Sequence, residues 1–269
     1  MKRIIMGGIT GHTGIAVARC IDADPNLKLV AAVGKLSAGN SIGEVLYNKP
    51  DDRLIFPDLY TLSEVNSADF YVDFTTAESA QRNLSDAATL GLKLVVGTTG
   101  IPEGFLEDLA FRLTNEQSFA LISSNFSLGI VALTQFAKKL STLFGPEHIE
   151  IFETHNVTKK DIPSGTALFI QKQLSTSEQG LVPIHSLRVS GTVSRHEIHA
   201  TMHEQVLSIK HEVTNPETFG LGVTYVLNNC DGVSGVFRDL ASFKDASGAA
   251  FSKNEHEIDI ELLPDEFDT

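Results

Sequence analysis

The chain predicts an α/β fold, with a doubly wound parallel sheet first and a second α+β domain carrying a mixed or antiparallel sheet after it. Three observations carry this expectation. Short apolar runs alternate with helical patterns through the first half, the rhythm of parallel strands joined by crossover helices. Gly8, Gly11 and Gly14 follow the first run and open the first helical pattern. From about Ser127 the order changes to a long helix and then to strand-like alternation. The first half is therefore expected to be Rossmann-like.

Each element has a local reason. Residues 3–6, 27–33, 70–74, 92–96 and 119–122 are β-branched or apolar and bounded by Gly, Asp or Ser, as buried strands are. Between them, residues 14–23, 79–90 and 104–115 space their apolar positions for helices packed on that sheet. Further on, residues 130–143 predict a long helix, 148–152 a strand and 167–174 a helix. Residues 186–193, 196–201 and 205–212 read as antiparallel strands, with the clearest alternation from Val206 to Lys210. Helix returns at 222–229, with a short helix near 236–240, and the acidic end holds an alternating run at 256–262 that predicts an edge strand. The expected division is residues 1–127 as a dinucleotide-binding domain completed by 219–269, and 128–218 as a substrate domain.

Composition narrows the class. With 269 residues, 42% hydrophobic and 20% charged, the chain has the make-up of a soluble globular protein with an ample core. A formal net charge of −13 argues against nucleic-acid and membrane-surface partners, which call for basic patches. Two distant cysteines, Cys20 and Cys230, make neither a disulfide scaffold nor a zinc site. A strand at the start in place of a charged leader, and no span-length apolar run, lead to a cytoplasmic expectation.

The chemistry-bearing residues fall in two groups. In the first, Gly8, Thr10, Gly11, His12, Thr13 and Gly14 stand where a dinucleotide-binding loop requires them, letting the backbone approach a pyrophosphate at a helix N-terminus. After the second strand, where an acid would select NADH, stands Lys35; NADPH is thus the expected cofactor, with NADH possible and His12 assisting. Phe74 and Thr75, Gly97, Thr98 and Thr99, and Asn125 and Phe126 end three further strands at the same carboxyl edge, placed to contact the nicotinamide half. The second group runs from Glu153 to Thr166. His155 is the candidate acid and Lys159 a point charge, while Ser164, Gly165 and Thr166 begin a helix whose N–H groups suit an anion. Together they describe a pocket for a small acidic molecule that must be protonated. His196 and His211 lie in predicted strands and read as structural histidines, and no histidine pair has metal-ligand spacing.

With these residues assembled, the chain resembles the 4-hydroxy-tetrahydrodipicolinate (dihydrodipicolinate) reductase family. The resemblance runs through Gly8, Gly11 and Gly14, Asp73 to Thr75, Val96 to Gly100, Asn125 to Ser127, and Glu153-x-His155 followed by Lys159-x-Asp161-x-Pro163-Ser164-Gly165-Thr166-Ala167. Weaker traces are Arg188, His196, Glu204, His211, Phe219, Gly222, Arg238 and Asp239. The segment from His155 to Thr166 is its specific part, and the glycine loop is common to many nucleotide-binding proteins. The resemblance implies hydride delivery from a nicotinamide cofactor to a small anionic cyclic dicarboxylate, with His155 as general acid and Lys159 on the substrate. It also implies that Gly165 and Thr166 hold a substrate carboxylate, and that the second domain's sheet builds a homotetramer. Asn156 stands where the family has a second consecutive histidine, and Pro216 where it has an arginine; both positions lie where substrate recognition is expected. Two alternatives stay open at this point: a paralogous reductase of another small cyclic imine acid, and a catalytically silent nucleotide-binding regulator.

Overall fold

The computed structural model describes residues 1–62, 67–144, 148–175 and 180–249. Its first sheet has seven parallel strands: β1 (Lys2–Gly7), β2 (Leu27–Val33), β3 (Ile55–Phe56), β4 (Phe70–Asp73), β5 (Lys93–Val96), β6 (Phe119–Ile122) and β11 (Gly235–Phe237). Their order is β11-β6-β5-β4-β1-β2-β3. The chain winds outward in one direction from β1 and then, after β3, in the other from β4. The β1–β4 boundary is therefore the topological switch point, where ligands bind at the carboxyl ends of such sheets.

Alternation along β1 explains why this sheet needs helices on both faces. Ile4 and Met6 point into one core and Ile5 into the other, and all three are fully buried. On the first face lie α1 (His12–Ala23), α7 (Glu217–Asn229) and α8 (Leu240–Ser247), contributing Val17, Ile21, Val226 and Phe243. On the second lie α3 (Ala77–Thr89) and α4 (Glu103–Asn115), contributing Leu84, Ala87, Leu109 and Leu113.

The long helix α5 (Leu128–Phe144) leads to the second sheet, formed by β7 (His148–His155), β8 (Ile184–Arg188), β9 (Ser194–Met202) and β10 (Gln205–Val213) in the order β10-β9-β7-β8. One face of this sheet packs Ile149, Ile151, Ile198 and Ala200 against Ile130 and Leu133 of α5 and against Ile170 of α6 (Gly165–Leu174). Positions on the opposite face include Phe152, His185, Leu187, His199 and Val206.

Two expectations change. The segment expected to be antiparallel at 186–193 is instead β8, parallel to β7. Helix α6 intervenes as a crossover, which is the connection a parallel pair requires. The helix expected near 236–240 is instead strand β11 beside β6, followed by α8. Val236 and Phe237 continue the sheet, and Asp239 then caps the helix by accepting a hydrogen bond from Ser242 N–H at 2.8 Å. The short pieces β3 and α2 (Ile42–Tyr47) were not anticipated. The edge strand expected at 256–262 lies outside the described residues.

Candidate active site

The glycine loop owes its shape to close backbone approach. Gly8 has φ +83°, and a Cβ there would lie 2.1 Å from the Phe74 carbonyl oxygen. A Cβ on Gly14 would lie 1.9 Å from the Gly8 carbonyl oxygen. Gly11 N–H donates to that same Gly8 oxygen at 3.0 Å, closing the turn at the start of α1. Beyond the loop, Asp73 gathers the strand ends. Its carboxylate accepts from the Tyr71 hydroxyl (2.7 Å), the Thr75 hydroxyl (2.7 Å) and the Thr98 hydroxyl (2.6 Å).

Two adjoining cavities open along this edge. One, of about 350 Å³, is lined by Gly8, Thr10, Gly11, Lys35, Phe74, Thr75 and, from α3, Arg82. The other, of about 280 Å³, is lined by Thr13, Phe74, Thr75, Gly97, Thr98, Thr99 and Phe126. Phe74 and Thr75 border both, so the two form one elongated cleft across the switch point. Gly14 packs beneath the loop. His12, by contrast, lines a separate cavity with Arg19 and Pro216, not the cleft with Lys35 as anticipated. Arg82 carried no sequence signal, because a helix and a strand connection bring it beside Lys35.

The cleft meets a second constellation. Asn125, between Ser124 and Phe126 of the cleft wall, donates its side-chain N–H to the Thr166 hydroxyl at 2.9 Å. Thr166 lies in the first turn of α6, where Ser164 is the N-cap, its hydroxyl accepting from Ala167 N–H at 3.2 Å. Nothing stands within 4 Å of a Cβ placed on Gly165, and its backbone N–H is engaged by the Asp161 carboxylate, so an anion already sits at this turn. Lys159 lies beside it, its Nζ 2.9 Å from the Asp161 carboxylate. Asn156 turns its side-chain oxygen to Thr158 N–H and hydroxyl, both at 3.1 Å, and so shapes the loop that carries Lys159.

His155 ends β7 and is almost buried. Its Nδ1 contacts the Glu153 carboxylate. Burial holds its pKa below the usual histidine value, with Lys159 and Arg188 acting in the same sense and Glu153 opposing them. His196 of β9 crosses it edge to face, ring centroids 5.1 Å apart, with Nε2 3.2 Å from the Ser164 hydroxyl. Burial above all pushes the His196 pKa down to about 3. His211 reaches the Ser127 hydroxyl at 3.2 Å. The structural role read for His196 thus places it inside the constellation, where it supports the α6 cap.

A switch-point cleft with a glycine cradle, meeting a buried histidine and a helix-start turn beside the second sheet, fits a nicotinamide-nucleotide-dependent oxidoreductase of two-domain α/β type. The family model for the dihydrodipicolinate reductase N-terminus matches residues 2–126, and that for its C-terminus matches 129–240. The chain belongs to the dihydrodipicolinate reductase family. It is 31% identical over 227 residues to a 4-hydroxy-tetrahydrodipicolinate reductase of Symbiobacterium thermophilum, covering 82% of this chain and 89% of the relative. To that of Bacillus subtilis it is 28% identical over 243 residues, covering 82% and 90%. Its fold is similar to that of a dipicolinate-bound dihydrodipicolinate reductase from Paenisporosarcina sp. TG-14, with a TM-score of 0.77 at 23% identity, covering 90% of this chain and 99% of that one. Among the described residues, no helix is long and apolar enough to cross a membrane.

Proposed function

We propose that the protein reduces 4-hydroxy-tetrahydrodipicolinate to tetrahydrodipicolinate on the diaminopimelate route to lysine, in the cytoplasm, with NADPH preferred and NADH accepted. The observation that carries this reading is the Asn125–Thr166 hydrogen bond, which ties the wall of the cleft to the first turn of α6, where we place the substrate carboxylate. When bound, the nicotinamide supplies a hydride. The residues of the chain do the rest. Gly8 and Gly14, where a side chain would strike backbone, let the loop close tightly at the start of α1, where a pyrophosphate is read to sit. Lys159 and the N–H groups of Gly165 and Thr166 orient a substrate carboxylate. His155 donates the proton that accompanies hydride addition as water leaves. A planar dicarboxylate held by the Paenisporosarcina relative supports this choice of substrate class. We read residues 128–218 as the substrate and oligomerisation domain, four copies meeting through the outer sheet face that bears Phe152, Leu187 and Val206.

The test is a coupled assay in which pyruvate, aspartate semialdehyde and the upstream synthase supply substrate while NADPH and NADH oxidation are followed separately. Turnover is expected with both, faster with NADPH; protein that binds nucleotide yet turns over neither would sink the reading and favour the silent regulator.

Cofactor choice has its own check. Lys35 and Arg82 both line the larger cavity, and among its described lining residues there is no carboxylate to repel a 2′-phosphate. Lys35→Glu should lower the NADPH-to-NADH ratio of kcat/KM by about tenfold or more, the worth of one charge-assisted hydrogen bond. A ratio that does not move would leave Lys35 as a surface residue.

A further inference from the structure

His155 and Glu153 are two apart on β7 and so share a face. Across the parallel ladder Glu153 faces Ser186 and His155 faces Arg188; across the antiparallel ladder Glu153 faces His196. The strand register therefore assembles a buried polar row that no local motif encodes. At its centre the Glu153 carboxylate is fully buried, a costly placement unless every oxygen is engaged. Its Oε1 accepts from Arg188 Nη2 at 2.9 Å and from Ser164 N–H at 3.3 Å. Its Oε2 lies against His155 Nδ1 as an ion-pair contact rather than an aligned hydrogen bond, and neither buried atom has another hydrogen-bond partner.

We propose that Glu153 is the positioning residue of the reaction, holding His155 with Nδ1 toward the carboxylate and sustaining the imidazolium while Nε2 faces the reacting atoms. The proposal rests on the reading of His155 as the acid. Arg188 makes the arrangement rigid: besides Glu153, it donates to the carbonyl oxygens of Lys159 at 3.3 Å and Asp161 at 2.5 Å. One guanidinium thus ties the carboxylate to the loop carrying the substrate-facing lysine, using the fixed fork that lysine lacks.

The charges around the imidazole show why a carboxylate is needed. Lys159 faces it from the loop, Arg188 from β8 and His196 from β9, and Asp161 is engaged by Lys159. Glu153 is the anion in direct contact with the ring. Burial, Lys159 and Arg188 all disfavour the imidazolium, so removing Glu153 removes what opposes them. His196, kept neutral chiefly by burial, adds no second cation at the ring edge. The logic is that of a carboxylate orienting a catalytic histidine through its far nitrogen.

Glu153→Gln keeps the shape and removes the charge. The expected result is a fall in kcat/KM of about tenfold or more at pH 8, with the high-pH limb of the profile moving down by about one pH unit or more. The Kd for NADPH should stay within about twofold, since Glu153 lies outside the nucleotide cleft. A purely structural glutamate would reduce activity evenly at all pH values and leave that limb in place, which would overturn the proposal. Should the variant fail to fold, the wild-type enzyme decides. In ¹⁵N spectra of the imidazole, neutral His155 is expected as the Nδ1–H tautomer, and the Nε2–H tautomer would overturn the proposal. If His155→Ala keeps full kcat, the acid reading falls on its own, and the tautomer still judges the Glu153 contact separately.

Discussion

Replacing His155 with alanine is expected to lower kcat by about 10²–10⁴, the usual contribution of a positioned general acid, while leaving nucleotide affinity unchanged. The expectation follows from where the ring stands. β7 delivers it, almost buried, to the edge of the sheet nearest the α6 cap, and its Nδ1 is occupied by Glu153. Alanine removes the donor without touching the cleft walls at Phe74, Thr75 and Phe126. Single-turnover measurement with pre-bound NADPH isolates the effect, because it reads the chemical step apart from substrate capture and product release. A variant that retains wild-type single-turnover rates would transfer the acid role to another group or to solvent. The pH profile adds a sign. Activity that needs the imidazolium declines as pH rises through the His155 pKa, which burial already holds below the usual value.

Gly14→Ala carries the second large effect, on nucleotide binding. A Cβ at this position would stand 1.9 Å from the Gly8 carbonyl oxygen, and a backbone atom cannot swing aside as a side chain can. Either the first turn of α1 lifts from the loop or the loop opens. Overpacking strain of about 3 kcal/mol corresponds to a roughly hundredfold rise in Kd for NADPH if it falls on the bound form. Fluorescence titration measures the Kd, and thermal denaturation shows how much of the strain the empty fold already bears. Wild-type affinity together with a wild-type Tm would mean that the close approach is not required.

The sequence was most informative where one stretch of chain does one job. The β6 segment is buried on both faces and apolar throughout, and β1 and β2 are so but for Lys2, Arg3 and Lys28 near their starts, which is why residues 3–6, 27–33 and 119–122 stood out as strands. The run from His155 to Thr166 was legible because strand end, loop and helix cap follow one another directly. Legibility failed where the partner is remote. His196 alternates along its strand like any half-buried residue, and only pairing with β7 sets it opposite Glu153. Arg82 reaches the cleft because α3 packs on β4 and β5 beside the switch point, a tertiary fact absent from its own neighbours. His12 failed for the opposite reason. Being next to Gly11 suggested the cleft, yet it lines the separate cavity shared with Pro216. β8 was misdirected because alternation reports a strand but not its direction.

The hydrogen bond from Asn125 to Thr166 has a thermodynamic consequence. One partner stands between Ser124 and Phe126 of the cleft wall and the other belongs to the turn proposed to receive the acid, so neither side chain can reorient without the other losing a bond. A nucleotide that favours one setting of Asn125 favours the matching setting of Thr166. By linkage, whatever factor the nucleotide applies to affinity for the acid, the acid returns to the nucleotide. On the proposed reading of the two sites, this contact is where coupling between nucleotide and acid is expected, and a double-mutant cycle on Asn125 and Thr166 measures its size.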